Sequence, residues 1–251
     1  MPCATPSDKD DQHQGDRSGP GSADGPEGSQ RTLFGRRKGH PLTATRAALF
    51  DTVLPPLAVP LDGPIADPAR LFPDPVRAVR MEIGFGGGEH LIHEAKGAPN
   101  VGFIGCEPFV NGMAKALAAV DAGGLTNVRL HFGDAAEVLD LLPEASIERV
   151  DLLYPDPWPK KRHWKRRFVG PENLDRLACV ITPGGTFRFA SDIPSYIEWT
   201  LNHLWVHPAF RWTAQTADDW RKPYPGWPGT RYEAKAIEAG RVPAYLTFER
   251  V

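Results

Sequence analysis

Residues 155–167, Pro155-Asp156-Pro157-Trp158-Pro159-Lys160-Lys161-Arg162-His163-Trp164-Lys165-Arg166-Arg167, set one carboxylate and two indoles among six lysine and arginine side chains. The cations can neutralise phosphates and release counterions, the indole faces can stack on a nucleobase, and Asp156 can accept hydrogen bonds from a base edge. The prolines flanking Asp156 restrict φ and hold that carboxylate in an irregular turn. A six-charge run is also what a solvated surface looks like, so its meaning depends on what lies beside it. Trp158 and Trp164 are the stacking candidates, with packing beneath the loop as the alternative for both. His163, one polar group among cations, has no assigned role.

A second set of acids falls at the expected ends of strands. Glu82 ends one apolar run and is followed by Gly84-Phe85-Gly86-Gly87-Gly88; Glu107 ends the next, Asp134 the third, and Asp156 follows the fourth. In an open α/β sheet, ligands bind outside the carboxyl ends of the strands. A glycine turn there lets backbone N–H groups approach a ligand, and an acid about twenty residues further on can take both hydroxyls of a ribose. Each residue also has an ordinary use: Asp134 and Asp192 suit helix N-caps, and the glycines suit a tight turn. Gathered at one rim, like charges repel unless something uses them.

The glycine spacing discriminates between cofactors. A dinucleotide fingerprint needs Gly-x-Gly-x-x-Gly, and counting from Gly84 the sixth place holds Glu89. Carboxylates at Glu82 and Glu89 disfavour a pyrophosphate and favour S-adenosylmethionine, which carries a sulfonium and an ammonium. A nicotinamide-dependent oxidoreductase is the rival enzyme, and an RNA-binding protein without chemistry is the non-enzymatic rival.

The elements that must position these groups follow from pattern. Strands are expected near Val79–Ile83, Val101–Cys106, Val128–Phe132, Val150–Tyr154 and Thr186–Ala190, with helices between them, as in a parallel sheet. Pro108 is expected to open one helix and Gly123-Gly124 to close it; Asp134 and Asp192 suggest two further helix starts. Phe210–Thr213 and Tyr245–Arg250 suggest a closing antiparallel pair. Trp199 and Trp205 sit in apolar helical context and are expected in the core. Thr230 and Glu233 spell a capping box before a helix ended by Gly240. The fold class is therefore α/β: one doubly wound, Rossmann-like domain with a seven-stranded, mostly parallel sheet.

Ahead of that domain, residues 1–30 are rich in Gly, Pro, Ser and Asp and contain no Leu, Ile, Val or Phe, the composition of a disordered tail. Residues 31–75 read as a basic arm with Arg36 and Arg37, a short helix near Thr43–Val53, and a Pro-rich connector; the α/β domain is expected over 76–251. The net charge of the 251-residue chain is only −2, so nucleic-acid binding must rest on a local patch. Three widely spaced cysteines lack a metal-ligand pattern, and no apolar run reaches the roughly 18–20 residues of a membrane span. A cytoplasmic protein with no membrane contact and no metal is expected.

These motifs resemble the bacterial tRNA (guanine-N7)-methyltransferases, class I enzymes dependent on S-adenosylmethionine. The resemblance runs from about Phe34 to the C-terminus. It rests on Gly35-Arg36-Arg37, Glu82-Ile83-Gly84-Phe85-Gly86, Gly105-Cys106-Glu107, Gly133-Asp134-Ala135, the whole 155–167 loop, Ser191-Asp192 and Thr230-Arg231-Tyr232-Glu233. Pro159 and Pro108 depart from the pattern, and the acidic tail lies outside it. The resemblance implies that Glu82, Glu107, Asp134 and Asp156 contact the cofactor, together with the turn of Gly84, Gly86 and Gly88, and that Asp156 is also the catalytic carboxylate. It further implies that Lys160, Asp192 and Thr230 to Glu233 meet the substrate, a guanine in the variable loop of tRNA, with S-adenosylhomocysteine as by-product. Arg36, Arg37, Lys161, Arg162, Lys165, Arg166 and Arg167 are expected to hold the RNA backbone. No obligate protein partner is implied, and monomer and homodimer stay open.

Overall fold

The computed structural model describes residues 39–251; the expected tail over 1–30 and the arm residues Arg36 and Arg37 lie outside the described residues. Chain order begins with helices α1 (Ala44–Thr52) and α2 (Leu54–Leu57), then a 3₁₀ turn at Pro68–Leu71. Strand and helix next alternate: β1 (Ala78–Ile83), α3 (Glu89–Gly97), β2 (Val101–Cys106), α4 (Val110–Gly123), β3 (Val128–His131), α5 (Ala135–Leu139) and β4 (Ile147–Leu153). A 3₁₀ segment at Lys161–Arg166 leads to α6 (Pro171–Val180), β5 (Ile181–Ser191), α7 (Pro194–Val206), β6 (Phe210–Trp212), α8 (Asp218–Arg221), α9 (Arg231–Glu238) and β7 (Ala244–Arg250).

The sheet has seven strands in the order β3-β2-β1-β4-β5-β7-β6. The first five run parallel, and β7 inserts antiparallel between β5 and β6. Strand order reverses between β1 and β4, which opens a crevice beyond their carboxyl ends. Register brings the acids to that rim: Glu82 pairs with Gly105 and with Asp151, and Ile83 with Cys106, so Glu107 emerges beside the glycine turn. β2 is buried along its whole length, as a central parallel strand covered on both faces must be.

Two apolar layers hold the sheet. One packs α5, α6 and α7 against Met81, Val150, Phe187, Phe189 and Phe248; the other packs α3 and α4 against Phe103, Val128 and Leu130. Each fully buried phenylalanine of the first layer stabilises the fold by roughly 1.5–3 kcal/mol relative to exposure. The Pro-rich stretch is integral to the fold: Val59, Ile65 and Phe72 are buried, and Val59 N–H donates to Leu130 O at 3.0 Å along the β3 edge.

Four expectations change. Pro108 precedes α4 instead of opening it, because Glu107 takes the Phe109 N–H and holds Phe109 extended as the N-cap. Asp192 does not cap α7: Ile193 is the N-cap, Ser191 Oγ accepts its N–H, and the Asp192 carboxylate is taken by Arg241 Nε at 2.5 Å. Trp205 is 81% exposed, since Tyr196, Thr200 and Leu204 form the buried stripe of α7 and Trp205 falls off it. β5 begins five residues earlier than Thr186, at Ile181.

Candidate active site

The carboxyl ends of β1, β2 and β4 open on a cleft of about 580 Å³. The glycine turn forms its floor. Gly84 has φ +69° and Gly86 φ +59°, a region costly for L side chains. A side chain on Gly84 would stand in open space, with nothing within 4 Å of its first carbon, so the missing side chain leaves room for a ligand against the backbone.

Glu107 lines the same cleft. Its carboxylate accepts from Gly86 N–H at 2.5 Å and from Phe109 N–H at 2.8 Å. Burial pushes its pKa up to about 7, against the lowering effect of those two donors. Asp156 also lines the cleft, and partial desolvation there raises its pKa from the ordinary value. On either side of Asp156, Tyr154 (φ +51°) and Trp158 (φ +43°) adopt left-handed backbone, uncommon for aromatic residues and held here by the proline-rich loop. Tyr154, Pro155, Asp156 and Trp158 all line the cleft.

The expected residues do not all reach this cleft. Glu82 lies behind the turn, 4% exposed, with its Oε2 on His90 Nδ1 at 2.8 Å. Burial raises the Glu82 pKa, and Glu82 raises that of His90 in spite of the histidine's own burial. Gly88 is the left-handed N-cap of α3. Asp134 caps α5, its Oδ1 accepting from Ala136 N–H at 3.0 Å, at the edge of the rim.

The basic loop divides. Arg166 lines the cleft with its guanidinium 5.0 Å from the Trp158 ring centre. Lys160, Lys161, Arg162 and Lys165 are exposed. Arg167 turns inward, correcting its expected place on the RNA-facing surface: it is 5% exposed, donates to Pro157 O, Ser195 O and Ser195 Oγ at 2.8–3.1 Å, and lies against Trp164, Tyr196 and Trp199. Trp164 packs edge-on against Trp199 at 5.5 Å, the packing alternative for that residue, while Trp158 faces the cleft.

Arg231 and Tyr232 form the opposite wall, with Arg231 Nη2 donating to Tyr232 Oη at 2.9 Å. The capping box is present: Thr230 Oγ1 accepts from Glu233 N–H at 3.1 Å and Glu233 Oε2 from Thr230 N–H at 3.3 Å. Glu233 is buried, and its carboxylate also takes Trp227 Nε1 and the Tyr245 hydroxyl. It therefore shapes the segment from inside, with its carboxylate committed to these three donors. Lys115 and Lys235, both lining the cleft, were not singled out from sequence. Lys235 lies four residues after Arg231 and so on the same face of α9, which is the signal that could have found it; Lys115 shares a face of α4 with Asn111, neither of which the sequence marked.

A parallel sheet with an acid-rimmed glycine turn and an antiparallel β7 defines a class I methyltransferase fold. A 16S rRNA methyltransferase structure, KamB, shares it: TM-score 0.53, covering 70% of this chain and 89% of that one at 18% identity. A family model described as "Putative methyltransferase" matches residues 76–245. Curated proteins named tRNA (guanine-N(7)-)-methyltransferase are 60% identical in Azorhizobium caulinodans (87% of this chain, 95% of the relative) and 59% identical in Rhizobium meliloti (87% and 94%). This chain belongs to that methyltransferase family, which removes the oxidoreductase alternative.

Proposed function

We propose that the protein transfers a methyl group from S-adenosylmethionine to N7 of a guanine in the variable loop of tRNA, giving N7-methylguanosine and S-adenosylhomocysteine. The observation that carries this reading is convergence: the glycine turn, Glu107 and Asp156 share one cleft with Trp158 and Arg166 of the basic loop. The names of the curated relatives support the substrate.

The lining residues suit the cofactor. Glu107 is the carboxylate for the ribose hydroxyls and Gly84 offers unobstructed backbone, while Tyr232 and Arg231 stand over Gly86; Asp134 adds negative charge at the end of β3, and Glu82 acts from behind the turn. The bound cofactor supplies an electrophilic methyl on a sulfonium. Guanine N7 already carries an in-plane lone pair, so no strong base is needed and positioning does most of the work. Methylation makes the purine cationic, and Asp156 stabilises charge that grows only as the bond forms. Trp158 offers a face to the base, with Arg231 and Tyr232 on the same cleft; Lys160, Thr230 and Asp192, whose carboxylate Arg241 holds, are further substrate contacts in this reading; Lys161, Arg162, Lys165 and Arg166, with Arg36 and Arg37, hold phosphates. The reading places the enzyme in cytoplasmic tRNA processing.

Labelled methyl transfer into unmodified tRNA, followed by borohydride and aniline cleavage at N7-methylguanosine, tests it. One break in the variable loop is expected; label without that break would refute the position, and no label would refute the reaction.

A further inference from the structure

One face of α3 meets the segment that carries Arg231 and Tyr232. The glycine turn runs into α3, and within that helix His93 lies four residues after Glu89 and three after His90, so the three share one side. A first carbon on Gly86 would lie 3.1 Å from Tyr232 Cε2 and 3.3 Å from its hydroxyl, so the ring is pressed on the turn. Glu89 Oε1 is 3.9 Å from Arg231 Nε. The His90 ring centre is 5.1 Å from that of Trp227, with the planes tilted by 41°. His93 Nε2 is 3.1 Å from Gly226 O. Trp227 passes the contact on, because its Nε1 donates to Glu233 Oε2 at 2.7 Å and Glu233 closes the capping box that presents Thr230, Arg231 and Tyr232. His90 in turn holds Glu82 behind the glycine turn.

From this stripe we infer that His90 and Trp227 are positioning residues that brace the substrate wall against the cofactor turn, so that occupancy of either site favours the formed state of the other. The inference rests on the proposed function, since it takes the glycine turn as the cofactor site and the 230–232 wall as the nucleobase site. The brace has no contact with the reacting atoms. His90 is 4% exposed and Glu233 7%, so the link between the two walls runs through the interior, where packed groups resist independent movement. Ligands that prefer the same arrangement of two walls bind cooperatively, and the effect is reciprocal.

The test is isothermal titration of S-adenosylhomocysteine with and without saturating unmodified tRNA, and of tRNA with and without S-adenosylhomocysteine. It uses the wild type, Trp227→Phe, which keeps a ring against His90 and loses the N–H to Glu233, and His93→Ala, an exposed and mild change. In the wild type each ligand is expected to tighten the other by about tenfold. In Trp227→Phe that factor drops to about two or less while the affinity for tRNA alone stays within about twofold, and His93→Ala gives a value between the two. His90→Gln, which can still donate to Glu82, is expected to retain more of the factor than His90→Leu. Independent binding in the wild type overturns the inference. So does a coupling factor that survives in Trp227→Phe, or a variant that weakens both ligands equally with the factor intact, the signature of a merely structural role. A wild type that binds no S-adenosylhomocysteine would overturn the proposed function itself, which separates the two failures.

Discussion

The two walls of the cleft are built by different means. The proposed cofactor wall is strand, turn and helix: the ladder between β1 and β2 places Glu82, Gly84 N–H continues it to Cys106 O, and Gly86 N–H donates to the Glu107 carboxylate. The proposed substrate wall joins the irregular 154–167 loop to the first turn of α9, and side chains hold both in place. Arg167 ties Pro157 to Ser195, Glu233 ties Trp227 to Tyr245, and left-handed Tyr154 and Trp158 bend the loop that lines the cleft. A regular wall suits a constant cofactor, whereas a wall held by side chains can be shaped to a large, folded RNA without disturbing the sheet.

That contrast can be broken or sharpened by substitution. The largest effect is expected at Asp156, where the two walls meet: Asp156→Asn should lower kcat by roughly 100-fold while tRNA affinity stays within about twofold, read by single-turnover transfer and filter binding. An equal loss in binding would mean that the carboxylate positions RNA and does not act on the transition state.

Arg167 and its neighbours divide support from contact. Arg167→Ala removes three hydrogen bonds and an aromatic sandwich, so denaturant unfolding should show a loss of about 2–4 kcal/mol. Lys165→Ala, two residues away and exposed, should leave stability unchanged and reduce the slope of log binding constant against log salt by about one. If Lys165→Ala destabilised the fold and Arg167→Ala did not, the division of the loop would be reversed.

Glu107 carries the pH dependence of the regular wall. Its folded pKa of about 7 lies above its ordinary value of 4.5, so between those values the folded protein keeps a proton that the unfolded chain releases. Stability therefore falls as pH rises from about 4.5 to about 7 and is flat, for this group, above it. In Glu107→Gln that slope should flatten by the contribution of one group, measured by urea unfolding at a series of pH values. An unchanged slope would show that Glu107 ionises normally.

The same contrast explains what the sequence revealed. Short β-branched or aromatic runs alternating with helical stretches were enough for the sheet, and acids at strand ends pointed to its rim, because regular elements repeat their rules locally. The inward turn of Arg167 was not legible: it depends on Ser195 and Trp199, about thirty residues away, and nothing in a run of cations says which one the core will take. Asp192 misled for a related reason, since its partner Arg241 lies beyond α9. The capping box of Thr230 and Glu233 was visible, but its second use, with Trp227 and Tyr245 on the same carboxylate, appears only when β7 is in place.

In the proposed reaction the cleft presents guanine N7 to the methyl donor. A tRNA carrying 7-deazaguanosine, with C–H in place of N7, at the variable-loop target tests it most directly. The account predicts that this tRNA binds with an affinity within about twofold of the unmodified form and accepts no methyl group at that base. Methyl transfer to the substituted base would contradict it.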